Sequence, residues 1–393
     1  MKKELKIGLF GYGVVGQGLY EVLKQTPTAN AAIRKICVRD LSKSRNLPAE
    51  IFCDSADEIL NDRQINLVVE LIDDADAAYK IVKTALKKGK SVVSGNKKML
   101  ASHLPEFIKM QEEKNVGMLY DASACGSIPV IRNLEEYYDN DLLISVTGIL
   151  NGSSNYILSK MFNEGLSYDD ALKQAQDLGF AESDPTLDVE GLDALSKLVI
   201  ITMHAFGLFV PQQNIFHFGI SGISEKDIQF AREKGRKIKL VAHVKKTDSG
   251  KLAMYVMPRM VTPDKYIYNV EDEFNGVVIK GAFYDKQFMF GRGAGGHPTG
   301  SAVLSDITAS GYDYRYEYKK MKLKNGLIFS NENAIRIYLR YHDENVLQHF
   351  NFVHITEKHY SADFSYLIGE ISLSSLLEAC DHLESNEVFV AEF

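Results

Sequence analysis

The chain has 393 residues, room for two or three domains at about 150 residues each. Lys and Arg total 45 against 52 Asp and Glu, a net charge of −7, and 45% of the residues are hydrophobic, enough apolar material for a sizeable globular core. The acidic balance, without a dense basic block, argues against a nucleic-acid partner, and no apolar run approaches the roughly 18 residues of a membrane span.

The opening MKKELKIGLFGYG starts basic, but its apolar stretch is too short and too broken by glycine for a signal peptide. Lys6 to Phe10 reads as a strand. Gly11-Tyr12-Gly13-Val14-Val15-Gly16 follows, and then a helix to about Lys24. Strand, glycine turn and helix in that order are the context in which G-x-G-x-x-G binds a dinucleotide. Gly11 allows the tight turn, Gly13 lets the backbone approach a pyrophosphate, and Gly16 lets helix and strand close up. The exposed amides of the helix start, at Val14 and Val15, hold the phosphates. Taken alone, the same residues also fit a glycine-rich turn of another α/β protein.

Further apolar runs, Ile33 to Val38, Ile65 to Ile72 and Ser91 to Ser94, alternate with helical stretches such as Ala75 to Lys88. This alternation predicts a doubly wound parallel sheet of the Rossmann type. After the second strand, Asp40 suits the ribose hydroxyl of NAD, whereas Arg39, with Lys43 and Arg45 nearby, suits the extra phosphate of NADP. The cationic cluster favours NADP without excluding NAD. In Gly95-Asn96-Lys97-Lys98, beyond the fourth strand, Lys97 either faces the ligand or is a solvated surface lysine; Lys98 is expected on the surface.

From about Gly126 the pattern changes. Asn151 to Asn155 reads as a polar loop before a helix from Tyr156 to Asn163, and Ser167 caps a second helix to Leu178. Next comes Phe180 to Lys197, leading into a helix apolar on most faces and therefore buried. Asp193 and Lys197 stand at i, i+4 near its start and share a face. They form either a simple ion pair or, since burying two charges is costly, part of a site. With Glu182, Asp184, Asp188 and Glu190 upstream, the carboxylates suit a substrate bearing an ammonium group, with a lysine for proton transfer. The alternative is a solvated acidic loop.

Downstream, Lys237 to Val244 and Leu252 to Val256 read as a hairpin, and about Asn275 to Phe290 as another strand pair. A second glycine-rich stretch, Gly291 to Thr299 with Gly293 inside it, precedes a helix beginning near Gly300. It either closes over a cofactor or is a flexible turn, and its His297 is expected to be structural or exposed. The tail reads as a strand (Ala334 to Tyr341), a hairpin (Phe352 to Ile371), a helix (Ser374 to Leu383) and a strand (Val388 to Phe393). Cys37, Cys53, Cys125 and Cys380 are scattered with no CxxC pair, so a disulfide framework or cysteine zinc site is not expected, and a cytoplasmic location is.

From Lys6 to about Ile307 these motifs resemble the homoserine dehydrogenases. The glycine turn, the Asn96-Lys97 loop, the Gly126 to Pro129 turn, the Asn151-Gly152 loop and the Gly293 to Thr299 loop occur in that family's order. The stretch Ala181 to Lys197 matches its specific pattern A-E-x-D-P-x-x-D-x-x-G-x-D-x-x-x-K. The resemblance implies reversible NAD(P)-dependent reduction of L-aspartate 4-semialdehyde to L-homoserine, in the threonine, methionine and isoleucine branch of aspartate-family amino-acid biosynthesis. Lys97 and Lys197 match the family's two site lysines, with Lys197 as acid/base and Lys97 supporting it. Glu182 matches the carboxylate that holds the substrate amino group, Asp193 a second site carboxylate and Asp188 a supporting group. Gly152 and Ser153 line the substrate; Asn96, Lys97 and Gly293 line the cofactor. A sodium ion, held mainly by backbone carbonyls, maps onto Asp121, Ala124, Gly126 and Ile128, with Asp121 where the family usually has glutamate. Asp73-Asp74 replaces a glycine pair beside the nicotinamide, and Ser94-Gly95 replaces Thr-Ala.

The implied architecture is a dinucleotide-binding domain over residues 1–130 and an α+β catalytic and dimerisation domain over 131–310, whose end packs back on the first. A linker with a small ACT-like module follows over 311–393. A homodimer or higher homo-oligomer is implied as well. Rival readings are the Tyr156-x-x-x-Lys160 pair of short-chain dehydrogenases, Cys125 as the thiol of a thioester-forming aldehyde dehydrogenase, and a silent amino-acid sensor built on the tail.

Overall fold

Short apolar strands alternating with amphipathic helices build a parallel sheet in the first part of the chain. The computed structural model describes residues 3–140, 142–323, 326–383 and 388–393. Strands β1 (Leu5–Phe10), β2 (Ala31–Cys37), β3 (Phe52–Cys53), β4 (Leu67–Glu70), β5 (Ser91–Ser94) and β6 (Met118–Leu119) lie in the order β3-β2-β1-β4-β5-β6, all parallel. Every residue of β4 is buried, as a strand covered on both faces requires. Helices α1 (Val14–Lys24), α2 (Ala56–Leu60), α3 (Ala75–Lys87) and α4 (Lys97–Lys114) form the crossovers, and the short α5 (Ala122–Cys125) and α6 (Val130–Glu136) follow β6. Of these, β1, β2, β4, β5, α1 and α3 are the elements expected from the sequence, with ends moved by one or two residues; the short β3 and β6 and the helices α2, α4, α5 and α6 are not. The order reverses between β1 and β4, where sheets of this type bind ligands beyond their carboxyl ends.

The chain forms two compact units, Met1–Asp139 with Arg292–Lys322, and Asn140–Gly291 with Leu323–Phe393. This division differs from the three consecutive segments read from the sequence. The chain does return to the first unit, through the helix Gly296–Ser310, which crosses α1. At the crossing a Cβ on Gly18 would lie 2.1 Å from the carbonyl oxygen of Gly296, so the two backbones touch. The helix starts four residues before the expected Gly300, because Gly295 at φ +121° supplies the turn. His297, Pro298 and Thr299 therefore belong to its first turn and not to a loop.

In the second unit, β7 (Leu143–Ile149), β8 (Phe216–His217), β9 (Lys237–Lys246), β10 (Leu252–Val261), β11 (Phe274–Gly281), β12 (Lys286–Arg292), β13 (Ala334–Tyr341), β14 (Phe352–His359), β15 (Ser365–Ser372) and β16 (Val388–Glu392) make one mixed sheet. Its order is β12-β11-β7-β9-β10-β16-β13-β15-β14, with β8 also on β10. Helices α7 (Gly152–Glu164), α8 (Tyr168–Asp177), α9 (Thr186–Val189), α10 (Leu192–Phe206) and α11 (Glu225–Glu233) belong to this unit, with α7, α10 and α11 packed on β9. The expected loop from Asn151 to Asn155 is instead a helix start: the Asn151 side chain accepts from Ser154 N and caps α7.

The tail strands run antiparallel in the order β16-β13-β15-β14, the β-α-β-β-α-β arrangement with a split crossover. The first crossover carries only the 3-10 turn Glu344–His349. The tail is not walled off. β16 joins β10 at Arg259 and Glu392, and Tyr255 and Met257 share one apolar cluster with Ile337, Leu339, Leu367 and Leu376. Sequence periodicity cannot show such a non-local edge pairing, which is why 311–393 reads there as a separate module. Among the described residues, no helix is long and apolar enough to cross a membrane.

Gly18→Ala gains about 1 kcal/mol of helix propensity but drives a methyl into the facing backbone, so a net loss of at least about 1 kcal/mol is expected in thermal or urea unfolding.

Candidate active site

The nucleotide end is built by backbone. Gly11, at φ +94°, has no room for a side chain, since its Cβ would lie 2.5 Å from the Leu71 carbonyl oxygen. A Cβ on Gly16 would lie 2.4 Å from Gly11 O, whereas one on Gly13 meets nothing within 4 Å. The turn is thus closed on its protein side and open above Gly13. No side chain caps α1 and its first turn holds no acidic residue, so the amides around Val14 and Val15 suit an anion. This cradle fits a dinucleotide.

At the end of β2, Arg39 is exposed, while Asp40 Oδ1 accepts from Ser42 N at 2.8 Å and from Ser42 Oγ at 2.6 Å. Those bonds hold the Asp40 carboxyl below its ordinary range. Arg45 donates to Asp40 O at 2.7 Å and lies over the Phe52 ring. Asn96 caps α4, accepting from Met99 N at 2.9 Å, which makes the half-buried Lys97 the first residue of that helix; Lys98 is exposed. The two aspartates after β4, Asp73 and Asp74, are both exposed, and Asp74 caps α3 by accepting from Ala77 N.

Gly293 lies beside Gly126, in the stretch that leads into the helix Gly296–Ser310. Its carbonyl oxygen sits 2.3 Å from where a Cβ on Gly126 would be, and Ser127 N and Oγ both donate to Arg292 O. Near the same loop, Asp121 Oδ1 accepts from Ile131 N and Arg132 N at 2.9 and 3.1 Å, capping α6. The Asp121 amide donates to Asp306 Oδ2, and Arg132 reaches Asp306 Oδ1 at 2.5 Å. Burial, reinforced by Asp121, pushes the Asp306 carboxyl up to about 7. For a cation here the Asp121 carboxylate is already committed. The carbonyls of Asp121 and Ile128 also accept, from Ala124 N and Val130 N, which leaves shared carbonyls as the donor set. Among the described residues, no three His, Cys, Asp or Glu side chains group to hold a metal.

The second unit gathers the acidic residues around α10, in which every residue from Asp193 to Phe206 is buried. Lys197 Nζ lies 2.7 Å from Asp193 Oδ2, as the i, i+4 spacing predicts, and donates to Leu150 O at 2.6 Å. One amide then ties the carboxylates together: Asn151 Nδ2 donates to Asp188 Oδ1 at 2.6 Å and to Asp193 Oδ2 at 2.9 Å. Burial and the charge of Asp193 push the Asp188 carboxyl above its ordinary range, against the hydrogen bonds of Asn151 and Ser153. Ser153 also donates to Phe180 O at 2.5 Å, and Gly152 lies so close to Glu273 O that a Cβ would be 2.6 Å from it. Glu182 and Asp184 are exposed, and Asp184 Oδ1 accepts from Thr186 N and Oγ1. The grouping therefore contains Asp188, Asp193 and Lys197, with Asn151 as the link that the sequence reading missed. A polar residue three before a serine at a helix start was its available signal.

The rival motifs are otherwise engaged. Tyr156 donates to Gln174 while Lys160 pairs with Glu164, so Tyr156-x-x-x-Lys160 is packing. Cys125 is buried in α5. His297 pairs with Glu21 across the contact of their two helices.

Comparison with known proteins gives two family matches, "Homoserine dehydrogenase, NAD binding domain" over residues 11–121 and "Homoserine dehydrogenase" over 129–308. A homoserine dehydrogenase of Helicobacter pylori is 39% identical over 314 residues, 78% of this chain and 74% of its own. One from Bacillus subtilis is 34% identical over 78% of this chain and 73% of its own. Among solved structures, a homoserine dehydrogenase of Thiobacillus denitrificans is similar over 100% of this chain and 99% of its own, at a TM-score of 0.83 and 27% identity. A hyperthermophilic archaeal homoserine dehydrogenase in complex with NADPH is similar over 79% of this chain and 99% of its own, at a TM-score of 0.68 and 26% identity. The chain belongs to the homoserine dehydrogenase family, oxidoreductases acting on CH–OH.

A methyl at Gly13 occupies the open side of the cradle and nothing else. Gly13→Ala is expected to leave the melting temperature unchanged while weakening NADPH binding about tenfold or more, read from enhancement of NADPH fluorescence on binding.

Proposed function

We propose that this homoserine dehydrogenase reduces L-aspartate 4-semialdehyde to L-homoserine, reversibly, with NADPH preferred over NADH. The reaction serves the branch of aspartate-family biosynthesis leading to threonine, methionine and isoleucine. The observation that carries the reading is the buried grouping of Lys197, Asp193, Asp188 and Asn151 at the start of α10. Exposed Arg39, beside an Asp40 already tied to Ser42, supports the preference for the 2′-phosphate.

The bound nicotinamide supplies the hydride. Everything else falls to the chain. Lys197 has three N–H directions, of which Asp193 and Leu150 take two; the third is left to donate to the carbonyl oxygen of the substrate. Donation there stabilises the developing alkoxide and delivers its proton, and Asp193 holds the ammonium form in place. Lys97, at the first turn of α4, is the supporting lysine. Glu182 takes the substrate ammonium group, with Asp188 supporting it and Gly152 and Ser153 lining the substrate.

A sodium ion at the carbonyls of Asp121, Ala124, Gly126 and Ile128 would brace the loop into α6, with Asp121 contributing its carbonyl rather than its carboxylate. The protein acts in the cytoplasm as a homodimer. Its ACT-like tail, whose first crossover carries only a 3-10 turn, extends the sheet in a structural role.

Semialdehyde-dependent oxidation of NADPH, faster than that of NADH, is expected, and Lys197→Ala should lower kcat by about 100-fold or more. No such oxidation, or an unimpaired variant, overturns the proposal. Asp73 is the carboxylate of its pair that does not cap α3, and Asp73→Gly is expected to lower the Michaelis constant for NADPH; an unchanged constant removes Asp73 from coenzyme recognition.

A further inference from the structure

Glu70, the last residue of β4, is a carboxylate with no exposed surface in the middle of the nucleotide sheet. Its strand neighbours are Phe10 of β1 and Ser94 of β5, both uncharged. Oε2 accepts from Ser94 Oγ at 2.6 Å, and Oε1 accepts from the amide of Ile72 at 2.7 Å. Ser94 Oγ in turn accepts from Asn96 N at 3.1 Å, and Asn96 Nδ2 donates to Ile72 O at 2.9 Å. The result is a closed ring of hydrogen bonds: Glu70, Ser94, Asn96, Ile72 and back to Glu70.

Two parts of the nucleotide end hang on this ring. Leu71, between Glu70 and Ile72, has its carbonyl against Gly11 of the glycine turn and its amide on Phe10 O. Asn96 caps α4 and so fixes where Lys97 begins that helix. The Asn96 bond to Ile72 O joins the two parts once, and the Glu70 carboxylate ties them a second time, through Ser94 Oγ on one side and Ile72 N on the other.

We infer that Glu70 is a positioning residue, whose buried carboxylate joins the loop against the glycine turn to the start of α4 and thereby sets Lys97 and the nicotinamide end of the cofactor cradle. This rests on the functional reading above. Both oxygens face donors, which fits the ionised form, yet burial pushes the group up to about 7, with the nearby Asp73 charge adding to it. A carboxyl raised from about 4.5 to about 7 binds more protons folded than unfolded in that interval, so its ionisation costs stability as pH rises through it. A neutral side chain would spare the sheet that cost. The carboxylate is therefore placed for what it holds rather than for the stability of β4.

The test compares the intact chain with Glu70→Gln, Ser94→Ala and Ser94→Thr. Measured are kcat and KM for NADPH oxidation with L-aspartate 4-semialdehyde, NADPH affinity by its fluorescence, and melting temperature at pH 5.5 and 8. Glu70→Gln and Ser94→Ala are expected to lower kcat about 10- to 100-fold and to weaken NADPH binding about threefold or more. Ser94→Thr, which keeps the hydroxyl, should stay within about twofold of the intact chain in both. Relative to the intact chain, the melting temperature of Glu70→Gln should be higher at pH 8 than at pH 5.5.

Unchanged kcat and NADPH affinity in Glu70→Gln and Ser94→Ala overturn the inference. So do losses in Ser94→Thr equal to those in Ser94→Ala, or activity losses that only follow a fall in melting temperature at pH 8. If Glu70→Gln does not fold, the two Ser94 variants decide. If the intact chain shows no semialdehyde-dependent oxidation, the functional reading fails by itself, and NADPH affinity across the Ser94 pair still upholds or overturns the ring.

Discussion

Direct contact between backbones is the constraint on which the nucleotide unit depends. Where α1 leaves β1, Gly11 lies under the Leu71 carbonyl, and about one turn into α1 Gly18 meets Gly296 of the crossing helix. A side chain at either place would push an element away by more than a close-packed interior can absorb. The same closeness leaves one direction open, above Gly13, with the helix amides pointing into it. Helix crossing and anion cradle are thus two consequences of one steric requirement.

The second unit depends on polar satisfaction instead. Its buried charges are held by neutral amides that bond on two sides at once. Asn151 caps α7 with its oxygen while its nitrogen serves Asp188 and Asp193. Asn155, one turn on, donates to the carbonyls of Val270, Asp272 and Phe274 and accepts from the buried Lys239, whose ammonium burial lowers to about 8. An amide can do this because it carries donors and acceptors without a charge to desolvate. At the tail, Asp227 bonds Arg340 with both oxygens and accepts from Tyr338, which locks β13 to α11.

Local signals in the sequence were enough to place the parallel sheet, the glycine turn, the strand pairs and the Ser167 cap, because each depends on residues within a few positions of one another. The Asp193–Lys197 pair was legible for the same reason. The rest was hidden by distance along the chain. Glu70 meets Ser94 only through strand register, 24 residues apart, and β16 finds β10 only once the sheet is assembled. The Asn151 stretch was misread because five polar residues look alike as a loop and as a capped first turn. The close approach of Gly293 to Gly126 is likewise a contact that composition cannot reveal.

Buried charge is what separates the site from the scaffold. Removing an ammonium or a carboxylate from water costs several kcal/mol per ion, and a single ion pair rarely recovers it. Lys197 and Asp193 sit in a helix buried along almost its whole length, where two apolar residues would pack at no such cost. Their retention makes sense if a further charged or polar group completes the arrangement that Asp193 and Leu150 begin around Lys197. Lys160 and Glu164, at the same i, i+4 spacing on α7, keep more exposure and carry no such implication. Identical spacing therefore carries opposite meaning in two helices, and the degree of burial distinguishes them.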